Sequence, residues 1–252
     1  TAVSVDRPVV RLGHDGRRLG MRGLGALSDG RAGQAGFAWP RVAIEQGRAE
    51  IDTPAGRLLG DFSLSAAGAE NLEGAVRVRP ARLSSDEGEI AWTRGDLELE
   101  ITDGHASGDA RLEIEQARLG ASRLRDARLE ARLAPLDDDG PIMLDWESRL
   151  EEAASGPDRV SGVYTRGSLT LDRVEISGPS ALLRALSDTV FSVEAESARI
   201  GGLSGENVRF DADLSGDSGG LAGPLALEAG NPHYRGHQAE ELALTGQALL
   251  GR

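Results

Sequence analysis

Alternation of apolar and polar residues at period two runs through most of this chain, and no other feature constrains its fold as tightly. In DARLEARL (126–133), Ala127, Leu129, Ala131 and Leu133 fall on one side of an extended backbone, while Arg128, Glu130 and Arg132 fall on the other. NVRFDADL (207–214) repeats the plan, with Val208, Phe210, Ala212 and Leu214 opposite Arg209, Asp211 and Asp213. DLELEIT (96–102), DARLEIEQ (109–116) and GSLTLDRVEIS (167–177) alternate in the same way. Strands of this kind set one face against something apolar and the other against water. The chain therefore reads as all-β.

The strands also come in related units. ARLGASRLRDARLEARLAP (117–135) and ARIGGLSGENVRFDADLSG (198–216) align without a gap. Each opens Ala-Arg-Leu/Ile-Gly, sets Asp126 or Asn207 at what reads as a turn, and runs on into the alternating strand. A looser copy, YRGHQAEELALTGQALLG (234–251), places Gly236 before an acidic turn and then Leu242 and Leu244. TPAGRLLGDFSLSAAG (53–68) and NLEGAVRVRPARL (71–83) share the texture. One such unit cannot bury its apolar face alone, so neighbours have to stack into a continuous sheet. The expected architecture is an elongated, twisted, repetitive antiparallel sheet curled into a groove.

Helix signals are sparse. GPSALLRALSDT (178–189) has Pro179 in a first-turn position and Leu182, Leu183 and Leu186 on one side, which predicts one short helix near 179–188 acting as a cap on the core. WESRLEEAAS (146–155) reads as helix or, within IMLDWESRL, as strand. APLDDDGP marks a break at 134–141 across which the sheet is expected to continue. Residues 1–35 form a leading segment that fits the pattern less well than 36–252. The sequence begins at Thr1, shows no signal peptide and contains no run of ~20 apolar residues. It is read as a segment of a longer protein, with any membrane anchor or export signal outside it.

Composition narrows the function. A chain of 252 residues can bury a large core, yet it holds only 4 Phe, 3 Trp and 2 Tyr. The apolar content is carried by Leu, Ala, Val and Ile, which predicts a thin core spread along the length. The formal net charge is −13, and the 28 basic residues are all arginine. That balance excludes nucleic acid as a partner, because neutralising phosphates needs a basic surface. Cysteine is absent, so no disulfide or thiolate chemistry arises.

Gly216-Asp217-Ser218-Gly219-Gly220 reproduces the letters around the nucleophile of chymotrypsin-like serine proteases. Such a serine needs a histidine in reach and a carboxylate behind it. The family's chain order leaves only His14 and His105 as bases, and neither stands in that family's Ala-Ala-His-Cys context. A nucleophile elbow needs a helix after the serine, where this chain has LAGPLALEAG. A Gly/Ser connection between strands is the simpler reading, and a serine hydrolase at Ser218 is kept as a remote alternative. His233 and His237 would share a helix face for a metal, but Pro232 and Gly236 oppose that helix. Asp137-Asp138-Asp139-Gly140 lacks the alternate ligand spacing of a calcium loop. No catalytic residue, metal or cofactor is assigned, and the chain is not read as an enzyme.

The units ARLGASRLRDARLEARL and ARIGGLSGENVRFDADLSG resemble the AsmA-like, TamB and YdbH group of bacterial envelope proteins. IDTPAGRLLGDFSLSAAG (51–68), where a Thr-Pro-x-Gly step leads into a strand, is closest to the YdbH texture. The resemblance is one of pattern and covers most of the chain from about residue 40. It implies a periplasmic protein anchored in the inner membrane through a part outside this segment. Such a protein moves phospholipid toward the outer membrane along an apolar groove, with an outer-membrane lipoprotein or another envelope protein as partner. The lipid-facing candidates are Ala127, Leu129, Ala131, Leu133, Val208, Phe210, Ala212, Leu214, Leu242 and Leu244. The alternative is a passive structural or adhesive β-solenoid or sandwich whose apolar faces fill each other.

Overall fold

The computed structural model describes residues 2–14, 19–21, 41–67, 71–103, 105–136, 140–171, 186–217 and 220–251. These residues form seventeen strands of a single sheet and no helix. The sheet is open and curled, as the alternation predicts.

Its body is a meander. β4 (Arg41–Thr53) turns at Pro54-Ala55 into β5 (Gly56–Ala66), and the Thr53 hydroxyl donates to the Gly56 carbonyl at 2.7 Å across that turn. β5 pairs with β6 (Leu72–Val78), which is followed by β7 (Ala81–Ser85) along the same edge of β8 (Gly88–Thr102). Arg79-Pro80 separates β6 from β7, because proline has no N–H to give to a ladder. The break is bridged from both sides. The Trp92 indole N–H donates to the Arg79 carbonyl at 2.9 Å, and the Arg79 guanidinium holds Asp61.

From β8 the chain runs antiparallel through β9 (His105–Leu119), β10 (Ser122–Pro135), β11 (Ile142–Ser155), β12 (Asp158–Leu171), β13 (Leu186–Ile200), β14 (Leu203–Asp217) and β15 (Gly220–Tyr234). β15 then pairs with β16 (His237–Gln238) and β17 (Glu241–Gly251). The opposite border is made by β1 (Ala2–Asp6) and β2 (Val9–His14), both parallel to β4, with β3 (Leu19–Met21) outside β2. Part of the leading segment thus belongs to the same sheet.

Several expectations resolve here. WESRLEEAAS lies in β11, so its strand reading holds. The expected helix near 179–188 falls mostly on residues outside the described ones. Its described end, Leu186 to Asp188, is not helical but opens β13, where Asp188 pairs with Ser215. Pairing with β14 and β12 on both sides overrides the local helical pattern there. Pro135 pairs with Ile142, so the sheet does continue across the acidic break, whose Asp137 to Asp139 lie outside the described residues.

Asp126 and Asn207 require a correction. The tight turns sit earlier, at Gly120-Ala121 and at Gly201-Gly202. Both glycines of the second turn have positive φ, 60° and 85°, as a type I′ hairpin demands. Asp126 and Asn207 instead lie inside β10 and β14 with φ of 48° and 49°. Gly162 does the same inside β12 at 60°. Asp and Asn tolerate this left-handed conformation better than other side chains. The three residues mark a seam across the sheet, and Glu151 and Glu196 lie on the seam in the intervening strands.

At the seam the alternation slips by one residue. Apolar positions are three apart at Leu124 and Ala127, Leu150 and Ala153, Val160 and Val163, and Ala195 and Ala198. Strand pairing stays in step through this point, with Arg125 opposite Glu152 and Ala127 opposite Leu150. Each strand therefore carries the same extra residue, and one face stays apolar on both sides of the seam. Bulges and kinks of this type bend and further twist a sheet that is already twisted.

Candidate functional site

The register arranges the apolar face in rows that cross the strands. One row runs Leu112, Leu129, Ser148, Thr165, Val193, Phe210, Leu227 and Leu244. The next runs Val76, Leu97, Ala110, Ala131, Trp146, Gly167, Phe191, Ala212 and Leu225. Leu133 and Leu214 lie in a third row, reached through Leu144, Leu169 and Thr189. On the near side Ala127 pairs with Leu150, Val208 with Ala195, and Leu242 with Ala229. The ten candidate residues thus share one face. β10 and β14 are four strands apart, about 19 Å at the usual strand spacing, so they form two stations and not one pocket.

The stations differ in packing. Ala212 and Leu214 are buried with Leu221, and Phe191, Phe210, Leu225 and Ala248 pack around them. The Phe191 and Phe210 rings are 5.8 Å apart in a tilted pair. That station is filled by its own side chains. At the other, Leu129 is 39% exposed beside Leu112 at 37%, and Leu97 is 48% exposed. No described side chain is fully buried, and the sheet has no second layer over this face among the described residues.

An apolar concavity of about 730 Å³ lies on the far side of the seam, near the hairpin tips. Leu83, Ile90, Ala117, Leu124, Ala153 and Val160 line it, one from each of six successive strands. None of these is among the ten candidates. Strict alternation counted back from Ala127 selects Arg125 and Arg123 and passes over Leu124. The signal that reveals Leu124 is the three-residue spacing at the seam.

A larger concavity, about 1440 Å³, is on the charged face. Its floor is a ladder of side chains running Arg77, Asp96, Arg111, Glu130, Glu147, Arg166, Ser192 and Asp211. Arg77 meets Asp96 at 2.9 Å, and Arg111 meets Glu130 at 2.9 Å. Hydrogen bonds from Arg94 and Arg77 hold the Asp96 carboxyl below the usual carboxylate range, and Arg79 does the same for Asp61. Arg209 lowers Asp211. These charges are paired with one another, across strands at Arg77–Asp96 and Arg111–Glu130 and along one strand at Arg94–Asp96 and Arg209–Asp211. No histidine or cysteine lines this hollow. The curl therefore makes concavities on both faces, and the apolar one is the smaller.

The remaining motifs separate. Ser218 lies outside the described residues, and Asp217 and Gly220 on either side of it pair antiparallel in β14 and β15. His105 opens β9 opposite Thr102. His233 pairs with Gln238 and Tyr234 with His237 across the hairpin at Arg235-Gly236, so the two histidines are not on a helix. Among the described residues no group of three or more His, Cys, Asp and Glu side chains is arranged to hold a metal ion.

No family model, curated protein sequence or solved structure matches this chain.

Proposed function

We propose that the chain is a segment of a periplasmic envelope protein that shields phospholipid acyl chains against its apolar face during passage between inner and outer membranes. The observation that carries this reading is the uncovered apolar face, with its hollow of about 730 Å³ lined by Leu83, Ile90, Ala117, Leu124, Ala153 and Val160. Small residues, Ala117 and Ala153, leave the hollow open at its centre. An acyl chain entering it leaves water at about 0.8 kcal/mol per buried methylene. The head group stays in solvent at the hairpin rim. No bond is made or broken, so no catalytic residue is called for. The inner-membrane anchor, and an outer-membrane lipoprotein or other receiving partner, belong to the resemblance to the AsmA-like, TamB and YdbH group and lie outside this segment.

The test is organic extraction of the chain purified from a bacterial periplasm, followed by mass spectrometry. Phospholipid retained at near-stoichiometric amounts is expected, and Leu124→Asp with Ile90→Asp should reduce it at least several-fold while the strand signal in circular dichroism persists. A clean extract from folded protein overturns the reading. It would select the passive structural sheet, which the self-filled cluster around Ala212, Leu214 and Leu221 favours. The hydrolase alternative is closed by the same preparation if a fluorophosphonate probe leaves Ser218 unlabelled.

A further inference from the structure

One row of the charged face is basic in a chain whose net charge is −13. It lies next to the hairpin turns of β9–β10, β11–β12 and β13–β14. The register sets Arg118 against Arg123 and Arg159 against Arg199, with Ala154 between the two pairs. Like charges directly opposite each other destabilise a sheet. Neighbouring acids do not cancel them. Glu152 serves three guanidiniums at once: Arg123 at 2.9 Å, Arg159 at 3.1 Å and Arg125 at 3.8 Å. Glu89 stands opposite Arg118 but bonds Arg82 at 3.2 Å. Asp158 accepts the Gly201 N–H, and Glu206 accepts from the Asn231 amide. The row ends at the β7–β8 turn, which carries Asp86 and Glu87. Arg118 and Arg199 make no ion pair among the described residues. Toward the other end of the same strands the sign reverses, where Glu98, Asp109, Arg132, Asp145 and Asp213 share one row.

We infer that the arginine row binds the phosphate of an anionic phospholipid whose acyl chains occupy the apolar hollow, so that this rim of the sheet selects the head group. The inference rests on the acyl-chain reading above. Arg118, Arg123 and Arg159 border the hollow as well as belonging to the row. They leave their strands on the charged face, but within two residues of a hairpin turn, and an arginine stem is long enough to carry its guanidinium over that end to where the two faces meet. The planar guanidinium offers paired N–H donors that match phosphate oxygens. A phosphate held between Arg118 and Arg123, or between Arg159 and Arg199, turns a repulsive pair into two charge-assisted contacts. The pairs are three strands apart, about 14 Å at the usual spacing, so they form two stations along the rim. A zwitterionic head group brings an ammonium to the same arginines and fits less well. The acidic row toward the opposite rim repels the same phosphate, which sets the rim that the head group takes.

Competition between lipids tests this. The chain is incubated with vesicles of equal phosphatidylglycerol and phosphatidylethanolamine, recovered, extracted and read by mass spectrometry. A several-fold excess of bound phosphatidylglycerol is expected, shrinking as salt rises from about 0.05 to 0.5 M. Arg118→Gln with Arg199→Gln should bring the ratio near one while total bound lipid and the strand signal are kept. Arg128→Gln with Arg132→Gln removes the same charge away from this rim and should leave the excess in place. Lipid retained without preference, or a preference lost equally in both double variants, overturns the inference and leaves the acyl-chain reading standing. A chain that retains neither lipid overturns both. Inorganic phosphate alone is the last arm, and thermal stabilisation by it as large as that by phosphatidylglycerol vesicles would mean a free-anion site and overturn the lipid assignment.

Discussion

Asp126 illustrates how one residue governs the shape of its neighbourhood. Its φ of 48° costs a β-branched residue far more than it costs Asp, Asn or Gly. Asp126→Gly is expected to stay within a few tenths of a kcal/mol of the parent in urea unfolding, whereas Asp126→Val should lose about 1–2 kcal/mol. Equal losses would mean that the conformation is not what selects the residue. The same aspartate carries an electrostatic consequence. Its hydrogen bond and its charge raise the Glu151 carboxyl above the ordinary range. A carboxyl raised in the folded state opposes folding once it is ionised, and that opposition fades as pH falls toward its unfolded value of about 4.3. Glu151→Gln should therefore raise the unfolding temperature at pH 7 and lose its advantage near pH 4. Asp61, Asp96 and Asp211 have the opposite sign, because arginines lower them. Their stabilisation is present above about pH 3.9 and is lost as pH drops through their folded values. A Glu151→Gln advantage that grew on acidification would contradict this assignment.

At the scale of the strand, the sidedness of β10 has direct consequences. Leu129 opposes Leu112 and Ser148 on the apolar face, while Arg128 stands between Glu113 and Arg149 on the other. Leu129→Asp should cost about 1–2 kcal/mol, limited by the partial exposure of the leucine. Phe210→Asp, which removes a ring packed against the buried Ala212, Leu214 and Leu221, should cost about 3 kcal/mol or more. Arg128→Asp trades one charged neighbour for the other and should stay within about 0.5 kcal/mol. Equal tolerance of all three in chemical unfolding would sink the assignment of faces. Period-two alternation made this sidedness legible in the sequence, together with the correspondence of β10 and β14. The seam was not legible in the same way. Asp126 and Asn207 are turn-type residues, and local chemistry cannot distinguish a turn from a left-handed kink inside a strand whose neighbours kink with it. The apolar hollow around Leu124 was lost for that reason. Leu186 to Asp188 failed differently, because a leucine pattern with helical spacing yielded to pairing with strands distant in sequence.

At the scale of the molecule, curvature comes from the sum of the seam and the register shifts at Ile44/Gly47, Ala91/Trp92 and Glu206/Arg209. These depend on partners far apart in the chain, which is why alternation predicted a curled sheet without showing which face would hold the larger hollow. Among the described residues no strand pairing ties the two borders together, and the extensive contacts of each interior strand are with the strands beside it. Stability is then close to a sum of strand terms and nearest-neighbour interfaces. The interior strands β8 to β15 have 14 or 15 residues each, whereas β3 has 3. Opening should therefore begin at the β1–β3 border and travel inward, so amide exchange should show its strongest protection in β9 to β13 and a graded decline on both sides. Calorimetric unfolding should give a van't Hoff enthalpy below the calorimetric one. A ratio of one, with uniform protection from β4 to β17, would show that the sheet unfolds as one cooperative block and that its borders are coupled by contacts beyond neighbouring strands.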